Sequence, residues 1–254
     1  MRRSRDADRG VSDTLGFVFI FALVMSTVGL TFAFGYTGLQ ETRDFERLNN
    51  AERAFDVMGD NFEDMVRRGA PSRATEVKVA DAQLELADPT VINVTVDNGT
   101  VVDSFRFEVT PIVYETNEGR IIYTSGAIFR EDPGGAVIVR HSEFILSQSR
   151  VLVPVVATRS TGDLTAVGGT TTVLVRAQSP DGQRESFGLE MAKTTETADV
   201  TINVSSERPV VWERELSRHD DVSCDPIVGD SISCHVTDAE QVHIQQTFID
   251  ISFD

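Results

Sequence analysis

The sequence predicts an α+β chain: a long N-terminal helix, transmembrane and then an amphipathic stem, followed by an all-β, sandwich-like domain. Three observations carry this expectation. Residues 14–40 contain no charged side chain. Residues 45–65 place an apolar side chain every three or four positions. From residue 76 onward the apolar period falls to two, and turn-forming residues punctuate the chain. The 254 residues accordingly divide into a leader peptide (1–10), a transmembrane helix (11–40), an amphipathic stem helix (41–70) and an extracellular β-rich domain (71–254).

The first ten residues, MRRSRDADRG, are net positive. The apolar stretch from Leu15 to Tyr36 is 22 residues long. As a helix it measures about 33 Å at ~1.5 Å per residue, against a bilayer core of about 30 Å. A backbone in hydrocarbon must satisfy its own hydrogen bonds, so the segment is expected to be helical and to lie in membrane lipid. A core helix of a soluble domain seldom follows an arginine-rich terminus directly. A secretory signal has a shorter apolar stretch of about 7–15 residues, although Ala33-Phe34-Gly35 has the small-residue form of a cleavage site. Arg2, Arg3, Arg5 and Arg9 favour the cytoplasmic side, which puts the C-terminal mass outside the cell membrane in a single-pass topology. Arg43 and Arg47 reduce that asymmetry without reversing it. Tyr36 stands where an interfacial aromatic anchor belongs.

Acidic residues number 40 against 23 basic ones, for a formal net charge of −17. Only Lys78 and Lys193 are lysines, so arginine carries nearly all the positive charge. Self-repulsion keeps such a chain soluble at some cost to compactness, and strong salt screens it, with a Debye length of about 3 Å at 1 M. The composition therefore reads as halophilic. It also excludes nucleic acid as a partner, since no basic stripe is available to neutralise phosphates.

Arg9-Gly10, then Val11-Ser12, then an apolar helix resembles the class III signal of archaeal type IV pilins and archaellins. The resemblance covers residues 9–36 and implies cleavage by a prepilin peptidase between Gly10 and Val11, so that the apolar helix stays on the mature chain. Ser12 and Gly16 match the serine and glycine, four residues apart, of haloarchaeal pilin-like proteins. The resemblance also implies other pilin-like subunits as partners. Two positions depart from the pattern: Leu15 stands where many type IV pilins carry an assembly glutamate, and Asp13 where haloarchaeal pilins commonly have proline. Cleavage would remove four arginines and two aspartates, taking the formal charge from −17 to −19.

Beyond the membrane, Phe45, Leu48, Ala51, Phe55, Met58, Phe62 and Met65 form one helical stripe. Arg67 and Arg68 suit the negative end of the helix dipole, and Gly69 and Pro71 end the helix. A bend is expected near Gly35–Gly38. The stripe packs on the chain's own β domain or on neighbouring subunits. Ala22/Ser26 and Thr31/Gly35 are small pairs that permit close helix approach.

Residues 76–79, 91–96, 105–109 and 200–204 alternate with β-branched residues and read as strands. Turns are expected at Asp97-Asn98-Gly99, Asn117-Glu118-Gly119, residues 132–135, Gly168-Gly169 and Pro180-Asp181-Gly182. Residues 112–116 and 120–125 form two arms of a hairpin. Many short strands with frequent turns suggest a sandwich or an open barrel. Pro154 inside the apolar run 151–157 marks an edge or bulge. Residues 207–218 read as a strand and turn without being decisive, and 242–253 as a last strand.

Candidate chemistry is sparse. Cys224 and Cys234 form a possible local disulfide on an exported domain. His219, Cys224, Cys234 and His235 lack a zinc spacing, since no CxxC is present, and no metal or other cofactor is expected. His141 and His243 read as strand residues without a special role. Asn98, Asn93 and Asn203 head three glycosylation sequons, with Asn98 in a turn as the best placed. No GxSxG, HExxH or phosphate loop occurs (Gly162–Gly169 is followed by no GK[ST]), so a catalytic role is not expected. Acidic pairs such as Asp220-Asp221 read as solvated surface rather than calcium ligands. Two functions stay open: a pilin-like cell-surface structural or adhesion subunit, and a single-pass membrane protein whose outer β-sandwich binds a partner without forming filaments.

Overall fold

The computed structural model describes residues 5–180, 184–189 and 197–254. It comprises two compact units, Met1–Arg47 and Leu48–Asp254, and helix α1 (Arg5–Arg68) contributes to both. In the first unit α1 is helical from Arg5. The backbone stays helical through Gly35 and Gly38, where a bend had been expected. With no proline there, two isolated glycines cost about 1 kcal/mol each and do not break the ladder.

In the second unit α1 ends at Arg68, and Gly69 takes φ +69° while its N–H donates to the Met65 carbonyl at 3.2 Å. That left-handed position is the usual helix exit for glycine. The strands follow in order: β1 (Ser72–Leu86), β2 (Thr90–Asp97), β3 (Val102–Val109), β4 (Ile112–Glu115), β5 (Arg120–Thr124), β6 (Ala127–Asp132), β7 (Gly135–Arg140), β8 (Ile145–Leu146), β9 (Val151–Ser160), β10 (Ala166–Gln178), β11 (Arg184–Leu189) and β12 (Ala198–Ser205). Helix α2 (Pro209–Ser217) precedes β13 (Ser223–Cys224), β14 (Ser231–Ala239) and β15 (Val242–Phe253).

Two sheets result. The larger runs β7-β6-β5-β4-β1-β10-β15-β9-β8, with β11 also on β15; the smaller runs β13-β14-β12-β2-β3. β9 and β15 pair in parallel, and every other pairing is antiparallel. The stem portion of α1 covers one face of the large sheet, where Leu48, Ala51, Phe55, Met58, Phe62 and Met65 meet Ile112, Tyr114, Ile121, Tyr123 and Ile128. The other face packs on the small sheet and α2, through Val113, Ile122, Phe129, Val153 and Trp212. Alternate residues of β4, β5 and β6 thus enter different cores. Burial on both faces lets consecutive residues be apolar, as in Ile112-Val113-Tyr114 and Ile121-Ile122-Tyr123.

Several expectations change. Phe45 belongs to the predicted stripe but is 59% exposed. Within residues 207–218, Pro209–Ser217 form a helix rather than a strand and turn: Pro209 presets the first turn, and Val211, Trp212, Glu215 and Leu216 fall on one buried face. Gly168 and Gly169 lie inside β10, not in a turn. They oppose Gln83 and Ala82 beside a bulge where Asp81 is the extra residue of β1, and Gly169 takes φ +101°. The Pro180-Asp181-Gly182 turn falls partly outside the described residues. Gly119 does lie between β4 and β5, but its φ is not positive; an added Cβ would run into the Glu131 carbonyl oxygen, so close backbone approach demands the glycine. Pro154 lies in β9, whose far side is paired by β8 only at Val151 and Leu152.

Candidate membrane anchor and the surface of the β domain

Thr14–Phe34 is a 21-residue helix long and apolar enough to cross a membrane, and none of it is buried. Leu15, Phe17, Phe19, Phe32 and Phe34 are all more than half exposed. A helix apolar on all sides has no polar face to turn to water. Two of its hydroxyls bond within the helix: Thr27 Oγ1 donates to the Val24 carbonyl at 2.8 Å, and Thr31 Oγ1 to the Thr27 carbonyl at 2.8 Å. Such back-bonding keeps these two donors satisfied where hydrocarbon offers no acceptor. Gly10 and Val11 both lie on the helical backbone. The Tyr36 side chain and residues 1–4 lie outside the described residues.

On the β domain, Cys224 and Cys234 stand directly opposite each other on β13 and β14 and are joined by a disulfide. Among the described residues no group of three or more His, Cys, Asp or Glu is placed to hold a metal. His235 instead bridges the small sheet to its margin, with Nδ1 3.0 Å from Thr201 Oγ1 and Nε2 3.0 Å from Asp225. His243 is an exposed β15 residue.

His141, expected in a strand, follows β7 and belongs to a cluster that sequence reading missed. Glu215 of α2 is 1% exposed. It accepts hydrogen bonds from the Ser142 N–H at 2.8 Å, the Ser142 hydroxyl at 2.7 Å, the His141 Nδ1–H at 2.7 Å and Arg218 Nε at 3.3 Å. The signal was present: Glu215 interrupts the stripe formed by Val211, Trp212 and Leu216. Also missed were the arginines that tie the stem to the sheet. Arg130 reaches Asn49 at 2.9 Å and Glu52 at 2.8 Å. Arg140 donates to the Asp56 carbonyl at 3.1 Å, Asp60 at 2.6 Å and Glu63 at 3.1 Å. Burial works against the Arg140 charge, and Asp60, Asp56 and Glu63 outweigh it, raising its pKa.

The sequons differ in their surroundings. Asn98 sits in the β2–β3 turn, where its Oδ1 accepts the N–H groups of Thr100 at 3.0 Å and Val101 at 2.8 Å. Asn93 and Asn203 pair across β2 and β12, and Asn203 Nδ2 donates to Ser233 Oγ at 2.8 Å. Glycosylation at Asn203 would use the nitrogen that makes that bond; at Asn98 it would leave the turn bonds, which use the oxygen, intact.

A cleft of about 390 Å³ opens between stem and sheet, with Val66, Leu152, Pro154 and Val156 as apolar lining and Arg140 and Glu143 among its charged residues. Arg67 and Glu143 form an ion pair within that lining.

Fold and surface together define a β protein of two sheets that carries one N-terminal helix able to span a membrane. The chain belongs to DUF7289, a family of unknown function, whose family model matches residues 9–252. The match takes in the apolar helix and both sheets. No curated protein and no solved structure matches the chain.

Proposed function

We propose that this chain is a membrane-anchored, pilin-like cell-surface subunit with a structural or adhesive role and no catalytic activity, its β domain outside the cell of a salt-adapted archaeon. One observation carries the reading: an uncharged, exposed helical span, Thr14–Phe34, begins four residues after Gly10 and is continuous with the stem of a β domain. A prepilin peptidase cut between Gly10 and Val11 would remove the basic leader and keep the anchor. The family match begins at Arg9 and supports anchor and β domain as one inherited unit. Membrane lipid and other pilin-like subunits are the partners this reading requires.

Leu15, at the position of the assembly glutamate, favours a second reading: a single-pass protein whose β domain binds a partner without forming filaments. Intact mass and N-terminal sequencing of the protein from its native membrane test the first reading. A chain beginning at Val11 is expected; one retaining Met1 or Arg2 removes the pilin-like reading and leaves the second.

A further inference from the structure

Within a sheet, proline is confined to positions whose missing N–H interrupts no ladder. Pro154 shows which edge of β9 that is. The Val151 N–H donates to the Gln241 carbonyl beside β15. Odd-numbered residues of β9 therefore turn their backbone groups toward β15, and even-numbered ones turn theirs away. Three contacts on the outward edge agree. Leu152 pairs with Ile145 of β8, the Val156 N–H donates to Ser125 Oγ at 3.3 Å, and the Thr158 carbonyl accepts the Thr110 N–H at 2.9 Å.

That edge is thus covered at Leu152 and again at Thr158, with a gap between two covered points inside the fold. In the gap Pro154 has no donor and the Val156 donor is already used. The carbonyls of Pro154 and Val156 are left without a partner among the described residues. Two positions apart on one edge, they stand about 7 Å from each other, the spacing of alternate N–H groups in an extended chain.

The cleft of about 390 Å³ opens on this gap. Leu152, Pro154 and Val156 turn their side chains to one face and line it together with Val66 of the stem. Its charged residues balance: Glu63 pairs with Arg67 at 3.1 Å and with Arg140 at 3.1 Å, and Arg67 pairs with Glu143. An occupant meets an apolar wall, two backbone acceptors and no unpaired charge.

We propose that this gap in β9 binds an uncharged, extended peptide segment of a partner protein, with alternate N–H groups on the Pro154 and Val156 carbonyls and an apolar side chain in the cleft. Strand addition of this kind draws affinity from main-chain hydrogen bonds and specificity from pockets for alternate side chains. The volume lies in the range of ligand sites. Charge decides the class of peptide, since a charged side chain would be desolvated there with every counter-charge already taken. A lipid chain would cover both carbonyls without satisfying them. The site goes beyond the anchor and its processing, and its test leaves residues 1–40 untouched.

The probe is the blocked peptide acetyl-Ser-Val-Ser-Val-Ser-amide with a fluorophore on its last residue, added to the full chain in detergent and read by anisotropy. Saturable binding with a dissociation constant of about 1 mM or tighter is expected. Methylating every amide nitrogen of the peptide removes its donors and is expected to weaken binding about ten-fold or more, a control that needs no altered protein. Val66→Trp fills the cleft from the stem and is expected to weaken binding likewise. Val57→Trp, at a 54% exposed stem position outside the cleft lining, is expected to bind as the unaltered chain does. If Val66→Trp unfolds the domain, Ile145→Asp, at a lining position 45% exposed, is read instead, with the same expected fall. Absence of saturable binding overturns the proposal. So does equal binding of the methylated peptide, which would mark a plain apolar cleft, and so does binding insensitive to the cleft substitution.

Discussion

Glu215 is a carboxylate inside an apolar layer, and its four hydrogen bonds explain how the fold tolerates it. Removing one side of such a network leaves the other side buried and unsatisfied. Glu215→Ala is therefore expected to cost about 3 kcal/mol, whereas His141→Ala, at a side chain 56% exposed, costs about 1 kcal/mol or less. Urea midpoints at unchanged slope separate the two, and equal losses would refute the assignment. His219 lies close by, its Nε2 buried and without a hydrogen-bond partner. Burial first and Arg218 next hold its pKa below the usual 6.5; Glu215 and Asp220 pull it up and His141 down, for a net lowering. As pH falls through that value the unfolded chain binds the proton before the folded one does. The stability from neutral His219 is thus complete above pH 6.5 and is lost as pH falls toward the depressed folded pKa. Replacement by glutamine is expected to flatten the stability profile between about pH 7.5 and about pH 5.5, and an unchanged difference between the two proteins would contradict this.

The stem portion of α1 is held by an apolar stripe and by arginines from the sheet, and the two contribute unequally. Phe55 is fully buried, and Phe55→Ala is expected to cost about 3–5 kcal/mol. Arg140→Ala gives up bonds to acidic groups that are largely solvent-exposed, Asp56 at 61% and Asp60 at 67%, and is expected to cost about 1 kcal/mol, less at high salt. Hydrogen exchange at the stem amides reads both, and an Arg140 effect that grows with salt would overturn the ordering. The disulfide acts on a different element. β13 has two residues and pairs with β14, and the bond to Cys234 ties it to that strand covalently. Replacing both cysteines by serine is expected to lower stability by about 2–3 kcal/mol, from a closed loop of sequence separation 10. A variant with unchanged stability would show that β13 is held by its surroundings alone.

At the scale of the whole molecule, the formal charge of −17 is the dominant electrostatic fact. Repulsion among acidic side chains opposes the compact state and weakens as salt shortens the Debye length from about 10 Å at 0.1 M to about 3 Å at 1 M. Thermal unfolding in detergent is expected to move upward as potassium chloride rises over that range. A midpoint that stays flat or falls would show that the ion pairs lost to screening outweigh the repulsion relieved.

The sequence by itself determined the membrane-length helix, the stem and the switch to a β domain, because each is written in local periodicity and charge: an uncharged run, a three-to-four-residue stripe, a two-residue alternation. It determined the β2–β3 and β4–β5 turns for the same reason. Tertiary structure alone decided what depends on residues distant in the chain. The hairpin of β4 and β5 was legible, but not that β4 to β6 each serve two cores, one closed by the stem and one by the small sheet. Gly168-Gly169 looked like a turn because a glycine pair states only a conformational freedom; a bulge in the partner strand β1 decided how it is used. Residues 207–218 read as strand because their β-branched valines are weak local evidence, and packing of Trp212 on Phe129 and Phe144 favours the helix. The setting of Glu215 and the arginine ties to the stem arise only when elements far apart in sequence come together, since hydrogen-bond partners are properties of the assembled fold.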